Sequence, residues 1–346
     1  MAVASGAKPI ALRAEEETTR SPWADAWHLF TQNRFAIFGL IFIIGLIVLC
    51  LTLDIWKNMG LLADPSAQYE GSTGPNGTPA DPMTCAPARP GESFQWCFIL
   101  GADFLRRDLF TRVLYGTRVS LLVALVGSSI SFSVGTVYGV ISGYYGGRVD
   151  NLMMRAVDFL YGLPDLPLII VMQAFFRAMS DYKDQVGPIG AALVDINQSW
   201  GGMLFIFIVI GLLSWIGMAR LARGQVLSYK QKEFVEAARA VGAKDRRIIF
   251  IHLLPNIIGP LVVAEALSIP GYIAVEAILS FIGLGVQPPT ASWGQMLGDV
   301  QSSASGFQFL PYQWLPAAIA LALTTLAFNY LGDGLRDALD PSLRGR

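Results

Sequence analysis

Apolar residues fall along this chain in long runs, and the acidic and basic residues sit almost entirely between those runs rather than within them. Six runs stand out: Phe35 to Leu53, Val119 to Gly143, Leu152 to Ala178, Met203 to Leu221, Ile257 to Leu284 and Leu315 to Leu331. About 20 apolar residues rising roughly 1.5 Å each cover a hydrocarbon core of about 30 Å, so each run predicts a membrane-spanning helix. The first run could be mistaken for a secretion signal. A polar stretch of more than thirty residues precedes it and no small-residue cleavage site follows, so it reads as a retained span.

Composition agrees with this pattern. With 346 residues, 53% of them hydrophobic and 15% charged, the chain is too apolar for an ordinary soluble protein, and its mean hydropathy is +0.49. The formal net charge of -1 offers no basic face for nucleic acid. The fold class expected is an all-α polytopic membrane protein with six transmembrane helices. Placing the N-terminus in the cytoplasm puts 17 of the 25 Lys and Arg residues in inner segments, as the positive-inside rule requires. Arg106, Arg107, Arg112 and Arg118 then lie outside, and GADFLRRDLFTRVLYGTRVS can be read as an amphipathic helix on the membrane surface.

These boundaries divide the chain into a cytoplasmic segment (1–34), a first span (35–53), an outer loop (54–118), a five-helix core (119–332) and a cytoplasmic tail (333–346). The outer loop is rich in Pro and Gly, which is loop chemistry. It holds Cys85 and Cys97, which in an oxidising compartment can close the loop as a disulfide, the alternative being two free thiols. His28 and His252 are too far apart in context to suggest a metal site, and no GxxxxGK[ST] loop is present to cradle a nucleotide.

The segment between the fourth and fifth runs, about 222–256, is strongly basic and helical in pattern. Phe234, Ala237, Ala238 and Val241 are expected on one helix face, Gly242 to end or bend the helix, and a second short helix from about Asp245 to His252 to present Ile248, Ile249 and Ile251. Two small amphipathic helices at a sharp angle make a docking device; the blander reading is a loop lying on the lipid surface. Four carboxylates fall inside or at the ends of apolar runs. Asp158 and Asp165 are seven residues apart and Glu265 and Glu276 eleven apart, so each pair shares a face if its helix is regular. Intramembrane acids are costly and usually face a bundle interior or a wet path. These four are therefore candidates to line a translocation path, against the plainer alternative that some pair with a nearby arginine or sit near a span end. Pro164 and Pro167 would disturb the third run.

Glu236-Ala237-Ala238, three further residues, Gly242, and Leu254-Pro255 resemble the EAA signature of membrane subunits in binding-protein-dependent ABC importers. GADFLRRDLFTRVLYGTRVSL and SFIGLGVQPPTASWGQML resemble two further blocks of the dipeptide/oligopeptide permease C-type subunits, with Ala102 in place of a family Thr, Arg106 of a Gly and Thr111 of a Ser. His252 and Asn256 fit the HxLPN form of the same subfamily. The resemblance runs over roughly residues 20–340, apart from an unmatched insert at 64–92. It implies the type I ABC importer permease fold in a bacterial inner membrane with both termini cytoplasmic. Glu236, Ala237, Ala238 and Gly242 would couple to ATPase subunits. The implied partners are a homologous B-type permease subunit, two ATP-binding cassette subunits, an extracytoplasmic binding protein and membrane lipid. ATP and Mg would be bound by the partner ATPases, and no cofactor by this chain. A channel or membrane enzyme finds no matching feature in the residues. An ion-coupled secondary transporter is the remaining alternative, although no internal repeat is visible.

Overall fold

A computed structural model describes residues 22–69, 79–86, 96–301 and 310–339. The N-terminal segment and the C-terminal tail lie mostly outside the described residues, and the insert at 64–92 in part. Helix α1 (Pro22–Gln32) leads into α2 (Arg34–Asn58). A hairpin of β1 (Thr84–Cys85) and β2 (Cys97–Phe98) follows, and then α3 (Leu109–Ile130), which continues through a π-turn at Ser131–Gly135 into α4 (Thr136–Tyr145). After α5 (Gly147–Tyr161), α6 (Asp165–Asp181) and α7 (Gly187–Ser199) come α8 (Met203–Tyr229) and the short α9 (Glu233–Ala240). Next, α10 (Asp245–Arg247) passes through a π-turn (Ile248–Leu253) into α11 (Leu254–Phe281), followed by α12 (Trp293–Gln301) and α13 (Pro311–Leu339).

Among the described residues, five helical stretches are long and apolar enough to cross a membrane. The sixth expected span is not one helix. α5 and α6 meet at 79°, so Leu152 to Ala178 is a broken pair. The cause is local: Pro164 lacks an N–H and pushes Leu163 away from helical angles, while Pro167 falls in the first turn of α6, where amide donors are unpaired anyway. Asp158 and Asp165 therefore lie on different helices, not on one face.

The bundle closes by contact between small residues. Gly135, Gly139 and Gly143 form a row along the π-turn and α4 that faces α8, and a Cβ on Gly139 would lie 2.2 Å from the Ala219 carbonyl oxygen. Between lipid-solvated helices such close approach is a main source of association. α13 packs against both α2 and α11, and burial of Ile43, Ala124, Ile273, Ala327 and Phe328 joins these helices to α3.

At the opposite end from α9, the hairpin pairs Cys85 with Cys97 in register and their sulfurs are bonded. Tyr69, Ala80, Ala86, Phe98 and Ala102 make a small core beneath it. Lys57 donates to Asp64 at 2.5 Å, and with Ser66 holds that carboxyl down at about pKa 2. A depressed carboxylate contributes stability that is complete above the unfolded value of about 4 and is lost as pH falls through about 2. Asp64→Asn is accordingly expected to flatten the acid limb of a melting-temperature profile between those values; an unchanged limb would count against the pair.

Residues 101–108 do not form the surface helix expected of them. Asp103 Oδ1 accepts the amides of Leu105 and Arg107 at 2.9 and 2.8 Å, making a turn, and α3 begins only after Asp108, whose side chain accepts the Thr111 amide at 3.0 Å. Arg107 and Arg112 point inward: Arg107 Nε donates to Asp103 at 2.6 Å, Arg112 Nε stands 3.4 Å from it, and Asp299 of α12 lies 3.4 Å from Arg107. In this turn Arg106 has φ +60°. The left-handed region costs an L-residue about 1–2 kcal/mol. Arg106→Gly is therefore expected to raise the melting temperature slightly, and a fall would show that the arginine side chain matters more than its backbone angle.

Candidate functional site: a projecting basic loop beside a lateral cavity

The loop between α8 and α11 is built from its helix ends. α9 closes with the Gly242 amide donating to Arg239 O at 2.9 Å and the Ala243 amide to Ala238 O at 3.0 Å, with Gly242 at φ +82°. This pair of bonds with a left-handed glycine is the Schellman ending, which turns the chain sharply back. Beyond it there is no separate second helix. Asp245–Leu253 runs directly into α11, with Ile248 and Ile249 buried and Ile251 exposed.

α9 buries one face and leaves most of the expected apolar group free. Val235 and Ala238 pack on Ile248, Ile249, Leu253 and Val226, whereas Phe234 and Val241 are 40% and 85% exposed. Glu236 and Ala237 are exposed as well. The helix is thus anchored by one face and free on the other, and of the four expected residues only Ala238 is in the core. Tyr144 ties the loop to α4: its hydroxyl donates to Asp245 Oδ1 at 2.7 Å and the Arg239 guanidinium lies 5.7 Å from its ring.

Nearby, Arg223 of α8 donates through Nε and Nη2 to the two oxygens of Asp150 at 2.6 and 2.7 Å, and Ser142 adds a bond at 2.5 Å. Neither Asp150 nor Arg223 stood out in the sequence, since each sits at a span end where charge is ordinary. A hydrogen bond to a charged group is worth about 1.5–3 kcal/mol. Asp150→Ala should lower the melting temperature of the detergent-solubilised protein by several degrees, with Asp150→Asn intermediate; no change in either variant would show the fork to be ornamental.

Between α5, α6, α8 and α11 lies an open cavity of about 520 Å³. Its wall is mostly apolar, with Tyr161, Asp165, Ser214 and Tyr272 as polar points. The four candidate carboxylates are not equivalent here. Asp165 lines the cavity at the start of α6, where its Oδ1 accepts the Leu166 amide at 2.9 Å. Asp158 pairs with Arg220 at 2.6 Å on the surface of α5. Glu265 is buried behind the wall and accepts from Ser131 at 2.8 Å and from Tyr272 at 2.9 Å. Glu276 is fully buried and accepts from Ser280 at 2.7 Å. Of the four, only Asp165 is on the cavity surface; Tyr272, which the sequence reading passed over, forms part of that surface and reaches Glu265 behind it.

A multi-pass helical bundle with an open lateral cavity and an anchored helix projecting from one end defines a membrane-embedded transport subunit. Residues 135–345 match the family described as binding-protein-dependent transport system inner membrane component, and residues 21–69 match the N-terminal TM domain of oligopeptide transport permease C. The chain belongs to this family of binding-protein-dependent importer permeases. It is 38% identical to the oligopeptide transport system permease protein OppC of Haemophilus influenzae, over 94% of this chain and 90% of that one. It is 37% identical to the dipeptide transport system permease protein DppC of Bacillus subtilis, over 92% and 86%. Against the glutathione transport system permease protein GsiD of Pectobacterium atrosepticum the figure is 32%, over 95% and 94%. The chain is a transport subunit, not an enzyme, and the reading as an ion-coupled carrier is set aside.

Proposed function

We propose that this chain forms one half of the translocation path of an ATP-driven importer of di- or oligopeptides in a bacterial inner membrane. The other half comes from a homologous B-type permease subunit. Two ATP-binding cassette subunits bind ATP and Mg, and an extracytoplasmic binding protein delivers cargo. Both termini and α9 face the cytoplasm, and the disulfide-closed hairpin faces the oxidising space outside. Support for a peptide cargo comes from the relatives, whose names specify oligopeptide, dipeptide and glutathione transport.

The observation that carries the coupling role is the two-faced α9. Val235 and Ala238 fasten it to the bundle, while Phe234, Glu236, Ala237 and Val241 stand free to meet another protein. Ala237 lets a partner surface approach closely, Ala238 keeps α9 against its own bundle, Glu236 offers a charge to a basic partner residue, and Gly242 sets the angle of the loop. A push on α9 passes into α11 through the packing of Val235 and Ala238 on Ile248, Ile249 and Leu253, which belong to the helical stretch that runs on to Phe281. In alternating access the cavity beside α6 would then open toward one side at a time, with Asp165 in its wall. Glu265 and Glu276 act as internal struts of α11, and Asp158 as a surface partner of Arg220.

The test is a pull-down of the tagged chain from native membrane, comparing wild type with Glu236→Arg. ATPase subunits that accompany the wild type and are depleted from the variant support the reading. A wild-type chain that recovers no ATPase, yet moves solute along an ion gradient when purified, would overturn it.

A further inference from the structure

A second feature of the α9 end is a groove between α4 and the helical stretch that leads into α11. It encloses about 290 Å³, and Val137, Val140, Ile141, Phe250 and Leu254 make its wall almost wholly apolar. Val137 and Phe250 are 56% and 55% exposed, and Val137 and Ile141 fall near the end of the apolar run Val119 to Gly143, so the groove opens outward from the bundle at the end of a span. It is separate from the lateral cavity, with which it shares no lining residue.

The charge at one end decides what fits. Arg246 lines the groove and makes no ion pair among the described residues. Lys244 and Arg247, its exposed neighbours, are likewise without an ion pair there. The adjacent acid, Asp245, accepts the Tyr144 hydroxyl at 2.7 Å and is the only carboxylate in the 244–256 stretch. An unpaired guanidinium with two flanking cations, set above an apolar trough at the edge of a membrane bundle, complements a molecule with an anionic head and a hydrocarbon tail. Basic sites between helices at the membrane surface recognise lipid headgroups by this combination.

We propose that this groove is a binding site for one anionic phospholipid, its phosphate held by Arg246 and one acyl chain lying along Val137, Ile141 and Phe250. The lipid belongs to the inner leaflet on the orientation given above; the site itself does not depend on that orientation. Because Arg246 follows Gly242 by four residues and precedes α11, a seated lipid would brace the joint through which α9 moves the bundle.

The test uses the assembled complex in nanodiscs of equal parts phosphatidylglycerol and phosphatidylcholine, extracted into mild detergent and weighed intact by native mass spectrometry. Wild type is expected to retain one lipid per copy of this chain with phosphatidylglycerol enriched roughly fivefold, the preference that a single surface cation supplies. Arg246→Gln, which leaves Lys244 and Arg247 in place, should cut that enrichment severalfold, and Val137→Trp, which fills the trough without touching the charge, should lose the retained lipid whatever its head. Equal retention of both lipids by wild type, or an unchanged preference in Arg246→Gln, would overturn the proposal. So would a photocrosslinker at Val137 that captures a neighbouring protein subunit instead of lipid. Failure of the ATPases to co-purify bears on the importer reading alone, since the lipid readout needs only this chain folded in a bilayer.

Discussion

Gly242→Val is expected to cut transport by tenfold or more while leaving the chain folded in the membrane. The glycine sits at φ +82° with open space around it, so a side chain there would meet nothing. The whole penalty is in the backbone, where a β-branched residue at positive φ is a true outlier and the left-handed region costs about 1–2 kcal/mol. The chain can escape that cost by unwinding the Schellman ending, which would release the two amide bonds to Arg239 and Ala238 and swing α9 away from its anchored pose. A free-energy change of 1.4 kcal/mol corresponds to a factor of about ten in any equilibrium that depends on that pose. Uptake of labelled peptide into vesicles, measured beside ATPase recovery in a pull-down, checks it. Gly242→Asn, which tolerates left-handed angles, should restore part of the activity. Normal uptake by the valine variant would show that the loop's angle is not what couples.

The second large effect is expected at Gly139. A Cβ there would lie 2.2 Å from Ala219 O, 2.8 Å from Ala222 Cβ and 2.9 Å from the Arg223 amide, and two of those three are backbone atoms that cannot rotate aside. Overpacking a tight contact costs about 1–3 kcal/mol when neighbours can shift. Here the whole of α4 must retreat from α8, taking with it the Ser142–Asp150–Arg223 bonds. Gly139→Leu is therefore expected to give no recoverable folded protein after solubilisation, whereas Gly224→Ala on α8, with nothing within 4 Å, should behave as wild type. Size-exclusion profiles of the two variants decide the matter. A monodisperse Gly139→Leu peak would mean that the α4–α8 contact is softer than its distances imply.

How much of this was readable in the chain varies with the range of the interaction. Spanning helices were legible because a run of apolar residues is a local property, and five of the six runs became continuous helices. The prolines of the third run were visible too, but they mark only where a helix can fail. That it turned by 79° between Tyr161 and Asp165 depends on how α6 packs against α8. The inward turn of Arg107 and Arg112 is only half legible: Asp103 is a near neighbour in sequence, but Asp299, which closes the cluster from α12, lies 192 residues from Arg107. Without it, a cluster of arginines reads as surface. The eight residues of α9 show the same limit. Periodicity groups Phe234, Ala237, Ala238 and Val241 but does not say which face is covered; that is decided by Ile248, Ile249 and Leu253 from further along the chain, which pack on Val235 and Ala238. The glycine that ends the helix, by contrast, needs only its own backbone and was readable at once.

The break between α5 and α6 also bears on what the fold needs from its surroundings. Hydrocarbon supplies no hydrogen bonds, so a non-helical turn at bilayer depth persists only beside other protein or water. Gly162, Leu163 and Pro164 form such a turn, and Tyr161, Leu163 and Asp165 around it stand exposed in the single chain. The amides of Gly162 and Leu163 are bonded within the chain, to Asp158 O at 3.0 Å and Leu160 O at 3.2 Å, and Pro164 has none to bond, so the break leaves no amide donor bare. A bend held by its own bonds borrows no donor from a neighbouring subunit, so what a neighbour can add at this seam is cover for the exposed side chains.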